Sequence, residues 1–206
     1  MRKYRFYVLG ILLLTLGIAF TIQSALGTSP FDALLVGLSS NIGLTVGSWE
    51  VIIALLLICC NALLAKQRPE FLGLITALIT GIGIDIWLFL LHNFTPELWF
   101  SKAICFGIGL MIIGLGTATY LQTNFAPIPV DRLTLIVQQL TKKNIFFART
   151  SIYLLFLLLA ILFKGPIGVG TLLTVNLGGL ILNFFMPITK RFIDGALIDA
   201  APLREE

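Results

Sequence analysis

Leu16-Gly17-Ile18-Ala19, Gln23-Ser24 and Pro30-Phe31-Asp32 recur, in the same order and 99 residues later, as Leu115-Gly116-Thr117-Ala118, Gln122-Thr123 and Pro129-Val130-Asp131. After one residue of slip Thr76 falls on Thr174, Gly81 on Gly179, Asp85 on Asn183 and Trp87 on Phe185. An apolar chain supplies apolar coincidences freely, but it does not readily supply Gln, Pro-x-Asp, Thr and Gly in register. The sequence therefore reads as two repeats, 6–92 and 103–190, with a short tail at 191–206.

The chain has 206 residues, 58% hydrophobic and 12% charged, with a mean hydropathy of +1.01. A soluble domain carries about twice that charged fraction, so a water-soluble globule is excluded, and so is a solvated disordered polymer. One membrane domain over 1–206 is expected, with the lipid bilayer as its first partner. Phe6 to Phe31, Ala103 to Val130 and Gly165 to Thr189 carry no charge, and each exceeds the ~20 residues of a spanning helix. Phe71 to Leu91 is interrupted only by Asp85, and the runs ending at Ala65 and Phe163 reach spanning length when extended back to Gly47 and Ile145. The pattern predicts an all-α bundle of six transmembrane helices at 6–26, 47–65, 71–91, 103–124, 145–163 and 170–189.

With the N-terminus inside, twelve of the fourteen basic residues are cytoplasmic and only Lys102 and Lys164 are external, as the positive-inside rule requires. Eight crossings would put Lys66 and Arg68 outside. The expected location is the bacterial inner membrane with both termini cytoplasmic. The scattered Lys and Arg offer no nucleic-acid surface. Three crossings per repeat force the two halves to be inverted, a plan shared by secondary transporters and some channels; gene duplication giving an inert bundle is the plain alternative.

A short segment follows the first span of each repeat. Ser29 stands as N-cap, Pro30 as first helical residue and Asp32 as its capping partner, with Gly43 and Gly47 closing the helix. Such a helix is too short to cross, so it re-enters the membrane or lies at the interface. Pro129 to Gln139 does the same in the second repeat, with Ile128 in place of the capping serine.

Leu26-Gly27-Thr28-Ser29-Pro30-Phe31-Asp32-Ala33-Leu34, Gly43-Leu44-Thr45-Val46-Gly47-Ser48-Trp49, Gly81-Ile82-Gly83-Ile84-Asp85-Ile86-Trp87 and Gly165-Pro166-Ile167-Gly168-Val169-Gly170-Thr171 resemble the YczE/YyaS/YitT family of bacterial multi-pass membrane proteins, the YczE branch most closely. The likeness runs from Gly10 to about Phe185. In the second repeat the family's Gly-Pro-Arg-Asp-Gly type of turn is replaced by Ala126-Pro127-Ile128-Pro129-Val130-Asp131-Arg132. The resemblance implies a bacterial inner-membrane protein, with a suspected part in export for some members, and no particular substrate.

Asp85 is the leading candidate for substrate or proton coupling, because an ionisable group between Ile84 and Ile86 is costly at that depth. Asn183, at the matching position, cannot titrate. Gln23 and Gln122 close the first helix of each repeat and are candidates to line a pathway, as are Asp32 and Asp131 on the short helices. Glu50 and Arg149 share a repeat position with opposite charge, but inversion separates them, so both are expected to snorkel rather than pair. Gly107, Gly109, Gly114, Gly116, Gly178 and Gly179 are expected at helix contacts. Cys59, Cys60 and Cys105 read as small core residues and His92 as interfacial. No metal or cofactor pattern appears, nor any nucleophile-elbow, zinc-protease or P-loop signature, so no enzyme is expected. The expected function is a secondary transporter, an exporter of a small amphipathic or polar compound. A membrane scaffold or accessory protein, or a passive channel, is the alternative, and the small-residue faces would permit a homodimer.

Overall fold

α1 (Arg2–Gln23) and α5 (Trp99–Leu121) cross antiparallel at the centre, and the other helices pack around them. In this computed structural model the described residues are 2–123 and 125–198, and no strand occurs among them. Glycine makes the central crossing close. A Cβ at Gly17 would lie 2.7 Å from the Gly109 carbonyl, and one at Gly10 would lie 2.6 Å from the Tyr120 backbone nitrogen. In hydrocarbon, where apolar surface has no reason to leave lipid, this backbone approach is what holds helices together.

α3 (Val46–Ala65) packs on α4 (Leu72–Leu90), where Gly47 and Gly81 meet backbone to backbone. Gly47 is thus part of α3; Gly43, at φ 101°, alone ends the preceding helix. That helix, α2 (Pro30–Ile42), begins as the sequence suggested, with the Ser29 hydroxyl accepting from the Asp32 amide at 3.1 Å. Its counterpart α6 (Pro129–Thr141) has Ile128 at the cap position and no side-chain cap. Both short helices pack between the same two long ones: α2 lies mainly on α7 (Ile145–Leu162) and also on α3, and α6 lies on α3 and α7 alike.

The last helix, α8 (Val169–Ile198), runs past the expected end at Thr189 and straight through Pro187. A proline inside a helix forfeits one backbone hydrogen bond, which membrane helices absorb through their neighbours. The expected tail therefore begins as helix, and 199–206 lies outside the described residues. α8 packs on α5 and touches α1, but forms no extended seam with α7.

α1, α3, α4, α5 and α8 are long and apolar enough to cross a bilayer; the apolar stretch of α7, Phe147–Leu162, is shorter. Large apolar side chains cover the outside, with Leu63 79% and Phe89 75% exposed. Cys59 and Cys60 belong to that outer surface and only Cys105 to the core. Gly109, Gly114 and Gly116 meet neighbouring helices, whereas Gly107, Gly178 and Gly179 face open space. Glycine spacing alone had not distinguished the packed face from the free one.

Candidate functional site

Two of the six candidate residues come together inside the bundle. Asp32 and Asp131, near the starts of α2 and α6, line a cavity of about 150 Å³ shared with Glu50, Arg149, Tyr120 and Tyr153. Every helix contributes to its wall. Asp32 accepts from the Ser29 hydroxyl at 2.6 Å and the Thr28 hydroxyl at 3.5 Å; Asp131 accepts from the Tyr120 hydroxyl at 2.7 Å. In α6, then, the carboxylate without a capping serine is taken up by a tyrosine from α5.

Glu50 and Arg149 do not snorkel. Glu50 is only 2% exposed, and it has no hydrogen-bond or ion-pair partner among the described residues. Arg149 lies against Tyr153 one turn on, its Nε donating to the phenol oxygen at 3.1 Å and its guanidinium 5.4 Å from the ring centre. They form no salt bridge with each other; Arg132–Glu70, at 2.6 Å, is the ion pair among the described residues. Sequence reasoning had noticed their opposed charges at one repeat position but sent both to the surface. The residues it missed outright, Tyr120, Tyr153 and Thr80, carry no signal apart from a polar atom in an apolar run, and Thr174 stood out only as a repeat position.

The other four candidates lie elsewhere. Asp85 binds the start of α3, accepting from the Gly47 amide at 2.8 Å and the Thr45 hydroxyl at 2.6 Å. A carboxylate at a helix N-terminus is structural glue of familiar kind. Gln23 donates to the Leu91 carbonyl at 3.1 Å and Gln122 to the Met186 carbonyl at 3.3 Å, so the end of α1 is tied to the end of α4 and the end of α5 to α8. Asn183 is on the exposed face of α8. His92 sits just beyond α4, its Nδ1 2.8 Å from the Phe89 carbonyl. From this geometry Asp85→Asn should retain activity, while Asp85→Ala should lose about 1 kcal/mol of stability; thermal melts of both variants in detergent check it, and an inactive but stable Asp85→Asn would return that residue to the mechanism.

The two ends of the bundle are packed unequally. At the end where α1 finishes, the 163–168 connection is sealed on 25–28: the Thr28 amide donates to Pro166 at 3.3 Å and the Gly170 amide to Leu26 at 2.8 Å. The Asn41 amide group adds a bond to the Phe163 carbonyl at 2.7 Å. Beside Gly165, Gly168 and Gly170 a Cβ would meet the backbone of Ala33, Leu26 and Gly27. At the end where α1 begins, the matching connections, 66–71 and 125–129, stand apart around a hollow of about 690 Å³. The Arg132–Glu70 pair bridges it, and Asn61, whose Oδ1 is buried without a partner, lines its floor.

Long apolar helices around a cavity lined in part by charged residues, with large apolar side chains facing outward, define a multi-pass helical membrane protein. The chain belongs to the YczE/YyaS family: residues 1–187 match DUF6198, described as a family of unknown function. It is 65% identical over 191 residues to "Uncharacterized protein YyaS" of Bacillus subtilis, covering 92% of this chain and 94% of that one. To "Uncharacterized membrane protein YczE" of the same organism it is 33% identical over 196 residues, 95% and 90% of the two chains. An "Uncharacterized protein" of Haemophilus influenzae is 30% identical over 181 residues, 87% and 81%. The chain stands nearer to YyaS than to the YczE branch its motifs resembled. No solved structure matches it.

Proposed function

We propose that the protein is a secondary transporter of the bacterial inner membrane, exporting a small amphipathic or polar compound by alternating access. Its frame would be two inverted halves, α1–α4 and α5–α8, with α7 as the sixth crossing and both termini cytoplasmic. An 18-residue helix spans ~27 Å, close to the hydrocarbon thickness. The clustering of basic residues in 66–68, 132–149 and 190–191, all at the end where α1 begins, supports the orientation.

The observation that carries the reading is the unequal packing of the two ends. Related connections are tight against each other on one side and parted by about 690 Å³ on the other. Inverted halves that exchange these two packings would produce the opposite opening from the same contacts. Scaffolds and passive channels have no need of such a difference.

The test requires no substrate. In protein lacking Cys59, Cys60 and Cys105, Thr28→Cys places a thiol under the sealed end, where the native residue is 1% exposed. Alternating access predicts slow labelling of intact cells by an impermeant maleimide. Bridging Glu70→Cys to Arg132→Cys with a bismaleimide, which holds the other mouth shut, should then speed labelling at least tenfold. A thiol that stays unlabelled with and without the bridge would favour the scaffold, and labelling indifferent to the bridge would favour the channel.

A further inference from the structure

We propose that the central cavity receives a small zwitterion, its ammonium against Glu50 and its acid group against the guanidinium of Arg149. The inference rests on the transport reading for its physiological meaning, but its test measures binding alone.

Of the four charged residues in the cavity, two are already engaged. Asp32 holds Ser29 and Thr28, and Asp131 holds Tyr120. Two are not. Glu50, from α3, is buried and unpartnered. Arg149, from α7, spends its Nε and its π-face on Tyr153, and its terminal nitrogens have no carboxylate within ion-pair distance among the described residues. A buried carboxylate and a half-buried guanidinium, neither with an ion-pair partner among the described residues, each leave a place for a guest group of opposite charge. A monocation would answer Glu50 and leave Arg149 unanswered; a monoanion would do the reverse. One molecule carrying both charges satisfies both walls. Leu14, Ile18, Phe31 and Leu110 supply an apolar surface for the rest of the guest. At about 150 Å³ the space is smaller than the ~300–1,000 Å³ of drug-sized pockets, which suits an amino acid or the headgroup of a zwitterionic lipid.

Full-length protein in maltoside would be titrated with L-leucine, with 3-methylbutylamine, which lacks the carboxylate, and with 4-methylpentanoate, which lacks the amine. Leucine should bind at least tenfold more tightly than either. Glu50→Gln should make leucine and 4-methylpentanoate equivalent, and Arg149→Gln should make leucine and the amine equivalent. The comparison on the unaltered protein stands even if a variant does not fold. A second arm transfers the protein to nanodiscs of phosphatidylethanolamine or phosphatidylglycerol. Leucine binding suppressed only in phosphatidylethanolamine would identify the lipid headgroup as the source of the zwitterion, and equal leucine binding in both would identify the free molecule. The amine binding as tightly as leucine, or neither leucine nor phosphatidylethanolamine binding, would overturn the inference. Should it fall while Thr28→Cys still responds to the bridge, transport stands with another substrate class. Should leucine bind while Thr28→Cys never responds, the site stands and transport falls.

Discussion

Gly116→Leu should leave no monodisperse protein in detergent, whereas Gly107→Leu, nine residues earlier on the same helix, should behave as the wild type. A Cβ at Gly116 lies 2.7 Å from the Gly10 carbonyl and 2.8 Å from Leu14 Cα, so its neighbours are backbone and cannot rotate away. At Gly107 nothing lies within 4 Å. Overpacking a core by flexible side chains already costs ~1–3 kcal/mol. Here a whole isobutyl group must part α1 from α5, and with them the seam that Gly10, Gly17 and Gly109 also line. The loss should consume most of a net stability of ~5–15 kcal/mol. Tyr120, one turn further along α5, would move too and release its bond to Asp131. Fluorescence-detected gel filtration of both variants decides the matter: a monodisperse Gly116→Leu would mean that the α1–α5 crossing is not the axis of the fold.

Gly168→Ala has the second largest expected effect, and its target is the balance between conformations. Its new methyl group would meet the Leu26 carbonyl only while the 163–168 connection is sealed on 25–28. In a state with that end open the same methyl would face solvent. A contact present in one state alone shifts the equilibrium by its full cost. At ~1–3 kcal/mol, labelling of Thr28→Cys should rise roughly 5- to 150-fold. Melting temperature monitors the trivial outcome, general unfolding. An unchanged labelling rate in a folded variant would mean that this end never opens.

The long apolar helices, the two short helices and the Ser29 cap could be read from the sequence because each depends on neighbouring residues: an apolar run, or a serine-proline pair ahead of a helix. Asp85 could not, since its partners, Thr45 and Gly47, belong to a helix start some forty residues away, and an acid within an apolar run looks the same whether it faces a pathway or ties down a neighbour. The error at Glu50 and Arg149 has a different origin. Each lies four residues into its helix, a depth that ordinarily permits snorkelling. Here the starts of α2 and α6 contribute Asp32 and Asp131 to the same cavity, so a residue close to the end of its helix is nevertheless interior. Only the tertiary packing of α2 and α6 beside α3 and α7 reveals this. The glycines failed for the simplest reason, because Gly107 and Gly109 differ in nothing except the direction they face.

The packing of α2 on α7 also sets a timetable for synthesis. α6 emerges to find α3 already made, but α2 must wait for α7, which begins roughly 100 residues after α2 ends. At ~5–20 residues per second the delay is on the order of 5–20 s. For that interval the nascent first half holds a short helix, with its buried aspartate, whose opposite face has no partner. A chain with α2 made and α7 still to come is therefore the state that membrane quality control encounters first.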